Sequence, residues 1–225
     1  MFFDLPEPCL LCGRRSHNGL CRLCSGELRD AGGLYAPLCR CGLPGIADQG
    51  LCGRCLRHPP PFNATYCHWA YQFPLDRLIN AYKHNGRLPV ERALEPLLRE
   101  QPLPWPEAEV LCPLPAHWRR RLARGFDQAE RLALLLARQW RRPVEPLLLR
   151  HRSTGHQQGL DRAERVRNLR HAFVAQPGAR QRRVLLIDDV MTTGTSARAA
   201  SRALLEGGAA EVRVWALART LQQER

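Results

Sequence analysis

Val184-Leu185-Leu186-Ile187-Asp188-Asp189-Val190-Met191-Thr192-Thr193-Gly194-Thr195-Ser196 is the stretch on which the fold of this 225-residue chain turns. The first four residues read as an apolar strand. It ends at paired carboxylates, and a turn of Gly, Thr and Ser then opens a helix. Backbone N–H groups and hydroxyls at a helix N-terminus form a ready site for a phosphate dianion. Asp188 and Asp189, at the carboxyl edge of a sheet, can accept hydrogen bonds from vicinal sugar hydroxyls, where open α/β sheets usually bind ligands. An ordinary strand–turn–helix with an acidic N-cap would not call for two Asp, three Thr, a Gly and a Ser in that order.

Outward from this stretch, helix and strand alternate. Residues 196–205 read as helix with Gly207-Gly208 as its stop, and 211–217 as the next strand. Upstream, Val110-Leu111-Cys112-Pro113 reads as a short buried strand leading into a loop. Residues 129–140 form an amphipathic helix stopped before Pro143, and Leu147-Leu148-Leu149 reads as a further strand. Leu75, Leu78, Ile79 and Tyr82 recur at helical spacing, with Asn85-Gly86 closing that element. Residues 150–171 are polar and very basic, a long loop or weak helix. The alternation predicts a parallel sheet with helices on both faces.

Residues 1–60 are different. Eight of the ten cysteines fall between positions 9 and 55, in close pairs, and Pro59-Pro60-Pro61 marks a stiff boundary to residues 61–225. Cys9-x-x-Cys12 with Cys21-x-x-Cys24 forms one candidate four-thiolate set, and Cys39-x-Cys41 with Cys52-x-x-Cys55 a second. Interleaving of the pairs is the alternative. A tight turn between paired cysteines lets both sulfurs face one tetrahedral zinc, and so small a segment draws much of its folding energy from the metal. A redox cluster is the competing reading. This distribution suits thiolates in a reducing cytoplasm better than disulfides. Cys67 and Cys112 lack partners and read as buried thiols. No apolar run approaches the roughly 18 residues of a membrane span. The start, Met1-Phe2-Phe3-Asp4-Leu5, lacks the basic and apolar regions of a signal peptide.

The formal charge of +13 is uneven. Seventeen arginines against five acids between residues 113 and 183 leave that segment at +12. Such a segment attracts a diphosphate, a nucleic-acid backbone or both, unless it is only a solvated face.

The 184–196 stretch resembles the signature of type I phosphoribosyltransferases. Further motifs sharpen the likeness: Pro113-Leu114-Pro115, Arg119, Arg121 and Arg124-Gly125-Phe126-Asp127-Gln128-Ala129. Arg150-x-Arg152-x-Thr154-x-x-Gln157, Arg165-x-x-Asn168, Leu51-Cys52-Gly53-Arg54-Cys55-Leu56 and Tyr82-Lys83 add to it. Together they resemble the ComF family of competence-associated proteins, its GntX-type members in particular, over almost the whole chain. Two departures stand out: Cys39-x-Cys41 is one residue short of Cys-x-x-Cys, and Asp127 stands where Asn is usual.

The resemblance implies a type I phosphoribosyltransferase-like parallel sheet preceded by a small double zinc-ribbon module. It implies that Thr192, Thr193, Gly194, Thr195 and Ser196 hold the 5-phosphate of phosphoribosyl diphosphate, and Asp188 and Asp189 its ribose. The 113–117 loop, through exposed backbone N–H groups and with Arg119, Arg121 and Arg124 after it, would take the diphosphate, with magnesium. Residues 150–168 would be the mobile loop that closes over the site. For His117 and His156, solvation competes with a site role.

Three functions follow. One is magnesium-dependent transfer of a ribose-phosphate unit to a nitrogen nucleophile, although Thr192 sits where nucleobase-salvage relatives often carry an Asp base. Another is a non-catalytic, ligand-sensing accessory factor in DNA uptake that touches single-stranded DNA or a partner such as a helicase or translocation protein. The last, a double-stranded DNA reader, ranks lowest for want of a recognition helix.

Overall fold

The computed structural model of the chain describes residues 6–30, 34, 38–44, 50–84, 87–150 and 172–221. Two short strands, β1 (Glu7–Pro8) and β2 (Arg15–Ser16), precede helices α1 (Arg22–Asp30) and α2 (Gly53–Arg57). Then come β3 (Thr65–Ala70), α3 (Leu75–His84), α4 (Arg87–Arg99), β4 (Val110–Pro113), α5 (Trp118–Arg124) and α6 (Gln128–Trp140). The chain continues with β5 (Leu148–Arg150), β6 (Phe173–Ala175), β7 (Arg183–Met191), α7 (Thr195–Glu206) and β8 (Glu211–Arg219).

Four strands form one parallel sheet in the order β3-β8-β7-β4. The apolar run of β7 is buried on both sides, as parallel strands covered on two faces must be. Leu185 and Ile187 join a core with α3, α4 and α6, whereas Val184 and Leu186 join another under α7. The expected α/β class with helices on both faces is what the chain adopts. α6 ends as anticipated: Arg141 takes a left-handed conformation at its C-cap, just ahead of Pro143.

Leu147-Leu148-Leu149 runs into a strand as expected, but not into the parallel sheet. β5 pairs antiparallel with β6, outside the parallel sheet. Leu148 is buried against the α7 side while Leu149 is 57% exposed, so this run has one apolar face and not two. β3, α4 and α5 are not evident in the sequence pattern. α4 contains Pro96, a usual helix breaker. Burial of Val90, Ala93, Leu94, Leu97 and Leu98 along one stripe outweighs the lost hydrogen bond. At the edge of this buried stripe, Arg131 of α6 grips Glu91 with two hydrogen bonds of 2.9 Å, and Tyr82 donates to the same carboxylate at 3.1 Å.

The first cysteine cluster shares the larger core. Cys9, Leu20, Cys21, Cys24 and Leu28 pack with Trp69, Leu75 and Leu78, and the Trp69 indole N–H donates to the Leu28 carbonyl at 2.8 Å. The expected ends at Asn85-Gly86 and the basic 151–171 segment lie outside the described residues. Among the described residues no helix is long and apolar enough to cross a membrane.

Candidate functional site

β7 carries both aspartates to the carboxyl end of the sheet. Parallel pairing sets Pro113 of β4 against Ile187, so the 114–117 loop leaves the sheet beside Asp188. Asp188 is 9% exposed and its Oδ1 accepts the Asp189 N–H at 2.9 Å. Burial, and then the Asp189 charge, push the Asp188 carboxyl well above the ordinary range.

After Met191 the chain turns sharply. Gly194 sits at φ 73°, a left-handed conformation that favours glycine, and a Cβ there would stand 2.8 Å from Met191 Cε. Thr192 and Thr193 are exposed. The Thr193 and Thr195 hydroxyls lie 2.8 Å apart, and the Thr195 N–H approaches Thr193 Oγ1 at 3.4 Å. Hydroxyls and the first N–H groups of α7 therefore converge on one spot, with Ser196 in the same helical turn. α7 is held down by Ala197, Ala199, Ala200, Ala203 and Leu204, whose buried faces anchor the turn to the sheet.

The 113–117 loop differs from expectation in what it offers. Pro113 and Pro115 have no N–H. The Leu114 N–H donates to the Ile187 carbonyl at 2.9 Å and the Ala116 N–H to Asp127 Oδ2 at 2.8 Å. The N–H groups of residues 113–116 are thus spent on the loop's own shape, and anion contacts fall to the side chains that follow. Asp127 explains itself as an acceptor. Its Oδ1 caps α6 through the Ala129 N–H at 3.1 Å, so no amide donor is called for. Arg119 and Arg121, two apart on α5, do not face the same side. The Arg119 guanidinium stacks 5.3 Å over the Trp118 ring, while Arg124 donates to Gln128 Oε1 at 2.6 Å. His117 caps α5, its Nδ1 accepting the Arg119 N–H at 3.3 Å. Arg150 supports the loop from the other side, donating to the Pro115 carbonyl at 3.2 Å. His156 and the rest of the proposed closing loop lie outside the described residues.

The cysteines assemble without interleaving. Cys9, Cys12, Cys21 and Cys24 bring their sulfurs within 4.8 Å of one another, and so do Cys39, Cys41, Cys52 and Cys55. Cys12 and Cys21 sulfurs are 3.6 Å apart, Cys39 and Cys41 3.6 Å, and Cys41 and Cys52 3.8 Å. Thiolates at about 2.3 Å from a tetrahedral zinc would be spaced by about 3.8 Å, so both sets could bind zinc structurally. The short Cys39-x-Cys41 spacing is no obstacle, because a turn closed by Cys39 N–H to Leu43 O at 2.7 Å folds both sulfurs inward. Burial would raise the Cys52 thiol, but N–H donation from Cys55 and the neighbouring thiols outweigh it and bring it down to about 7. Cys67 and Cys112 belong to neither set, and burial pushes each up to about 12.

Two further arginines support the site with no local sequence pattern to mark them. Arg219 donates to the carbonyls of Met191 and Thr192, and Arg198 of α7 reaches Cys55. Their partners lie up to 178 residues away.

Known proteins resemble this chain in sequence over most of its length. A family model described as a phosphoribosyl transferase domain matches residues 123–225. The DNA utilization protein YhgH of Escherichia coli K12 is 35% identical over 235 residues, covering 96% of this chain and 99% of that protein. Competence protein F of Haemophilus influenzae is 32% identical, covering 94% and 96%. Among solved structures, the glutamine phosphoribosylpyrophosphate amidotransferase of B. subtilis, complexed with ADP and GMP, matches at 25% identity and a TM-score of 0.40. That match covers 56% of this chain and 26% of the enzyme.

Proposed function

This chain belongs to the family of the DNA utilization proteins and Competence protein F, and from that premise we propose that it binds phosphoribosyl diphosphate together with magnesium and serves DNA uptake or utilisation in the cytoplasm. The observation that carries the reading is the Asp188-Asp189 pair standing directly before the glycine-hinged Thr192–Ser196 turn at the carboxyl end of a parallel strand. Thr192 to Ser196 would grip the 5-phosphate and the two aspartates the ribose hydroxyls. A magnesium ion bound with the diphosphate would offset both the burial and the Asp189 charge that disfavour an ionised Asp188. Arg121 and Arg124, three apart on α5, lie on one side and could meet the diphosphate. Were a nitrogen nucleophile to be ribosylated here, catalysis would come from positioning and electrostatics as diphosphate leaves.

Calorimetric titration of the zinc-loaded chain tests the reading. Phosphoribosyl diphosphate should bind, and magnesium should strengthen binding. No heat at millimolar donor with magnesium, in folded protein, would remove it.

A second reading, a non-catalytic factor that handles single-stranded DNA beside a helicase or translocation protein, draws on α5. Trp118 is 38% exposed with Arg119 over its ring, and Leu122 is 74% exposed. A basic surface with an aromatic face suits sequence-tolerant stacking of bases. Binding of oligonucleotides should weaken with salt, and Arg119→Ala with Arg121→Ala should flatten the salt slope by roughly 0.7 per lost phosphate contact. Affinity indifferent to salt would make the charge a solvated face only.

A further inference from the structure

The second cysteine cluster is fastened to the phosphate turn by two arginines, one on each side. Arg219, at the end of β8, is 3% exposed. Its Nη1 donates to the carbonyls of Met191 and Thr220, each at 2.8 Å, and to that of Thr192; its Nε donates to the Cys41 carbonyl at 3.1 Å. Among the described residues its hydrogen-bond acceptors are all backbone carbonyls. A buried guanidinium without a carboxylate partner is costly unless a further negative charge stands nearby. Arg198 lies in the first turn of α7, its own N–H on the Gly194 carbonyl at 2.9 Å. Its guanidinium reaches the His58 carbonyl at 3.1 Å and Cys55 Sγ at 3.7 Å.

The cluster is also pressed against the sheet. Gly42 has φ 75°, and a Cβ on it would stand 2.9 Å from Thr65 Cγ2 and 3.0 Å from Cys67 Sγ. Thr65 Oγ1 donates to the Arg40 carbonyl at 2.8 Å. Four thiolates around one zinc ion leave a doubly negative group, and Arg198 and Arg219 stand beside it as two positive charges. A metal-free cluster would offer the same arginines less negative charge to balance.

We infer that metal occupancy of the Cys39, Cys41, Cys52 and Cys55 site controls the shape of the phosphate turn, with Arg198 and Arg219 as positioning residues. With metal bound, both guanidiniums are drawn toward the cluster and hold residues 191–196 ready for an anion. Without it the turn loosens and phosphate affinity falls. The ligand part of this inference rests on the phosphate-site reading above. The first cluster, which includes Cys24 of α1 and packs with residues of α3 and α4, serves as the internal control.

Coupling between two sites is reciprocal, so the ligand must hold the metal as firmly as the metal prepares the ligand site. Metal release to a chelator is followed with and without saturating phosphoribosyl diphosphate, in wild-type protein, in Cys9→Ser and in Cys52→Ser. The donor should slow release from the second site about tenfold, within the five- to 150-fold range usual for coupled sites, and leave the first site unchanged. Arg198→Gln, a partly exposed position, should keep full metal content yet lose most of the slowing. Arg198→Lys should restore part of it. Amide hydrogen exchange of residues 190–197 is measured in parallel without any donor, and should quicken when the second site alone is emptied.

Unchanged exchange on loss of the second metal, together with donor-independent release, would overturn the inference. Should the donor not bind at all, the exchange measurement still judges the coupling, and the failure belongs to the phosphate-site reading. If the cysteine variants do not fold, the two release phases of the wild type are compared with those of Arg198→Gln. A slowing lost in that variant supports the coupling, and identical phases overturn it.

Discussion

Asp188→Asn combined with Asp189→Asn lowers affinity for phosphoribosyl diphosphate by at least about a hundredfold, while inorganic sulfate binds as before. Each hydrogen bond from a sugar hydroxyl to a carboxylate contributes roughly 1.5–3 kcal/mol, about tenfold to a hundredfold in affinity. The turn that would hold the phosphate is not touched, because its glycine hinge and threonine hydroxyls are set by Met191, Gly194 and α7. Thr193→Val with Thr195→Val has the opposite pattern and weakens sulfate and donor alike. Calorimetry with both ligands separates the two arms. Equal losses for both ligands in the aspartate variant would show that the carboxylates do not read the sugar.

The same aspartate makes a second, oppositely signed contribution. Burial and the Asp189 charge raise the Asp188 carboxyl in the folded protein, so its ionisation opposes folding. That cost is absent below the unfolded-state pKa, near 3.9, where the group is protonated in both states, and it grows as pH rises. Asp188→Asn therefore melts higher than wild type at neutral pH in the absence of ligand, and the advantage shrinks toward pH 4. Thermal denaturation across that range checks it; a lower melting point at pH 7 would contradict the assigned sign.

Removing zinc produces the largest change in stability. Binding of structural zinc to small zinc-finger peptides contributes about 10–16 kcal/mol, and segments that lack a core of their own do not fold without it. Here the loss should spread beyond the cysteine segment. Leu20 and Leu28 belong to the core that contains Trp69, Leu75 and Leu78, and Leu28 accepts the Trp69 indole proton. Cys24→Ser should release one zinc and uncover that side of α3 and α4. A lower melting midpoint with a red-shifted tryptophan emission is the expected outcome. Metal analysis that finds no zinc in freshly reduced wild-type protein, or a chelated protein with an unchanged melt, would refute it.

Much of the candidate site was legible because its chemistry is local. Thirteen consecutive residues, 184–196, carry the strand, the aspartates, the hinge and the hydroxyls, and the helix that follows has its own stop at Gly207. The cysteine pairs were legible for the same reason, since each pair is closed by a turn of a few residues. α4 was not, because Pro96 argues against a helix until burial of its stripe is known. β3 was not, because its sheet partner among the described residues, β8, lies far along the chain.

The sequence by itself determined the fold class, the strand–turn–helix at the core of the site and the close cysteine pairs, all of which depend on hydrogen bonds and ligand spacing within short segments, while the fold decided which pairs share a cluster. Only the tertiary structure decided the rest. The parallel register of β4 with β7 puts the 113–117 loop beside Asp188, and pairing register is not written in either strand alone. Leu114 and Ala116 donate to Ile187 and Asp127, so the loop offers shape where open N–H groups were expected. Arg219 became a strut between Cys41 and Met191 only when the fold brought together residues 178 and 28 positions apart. A buried arginine takes whichever acceptors surround it, and those acceptors are chosen by packing.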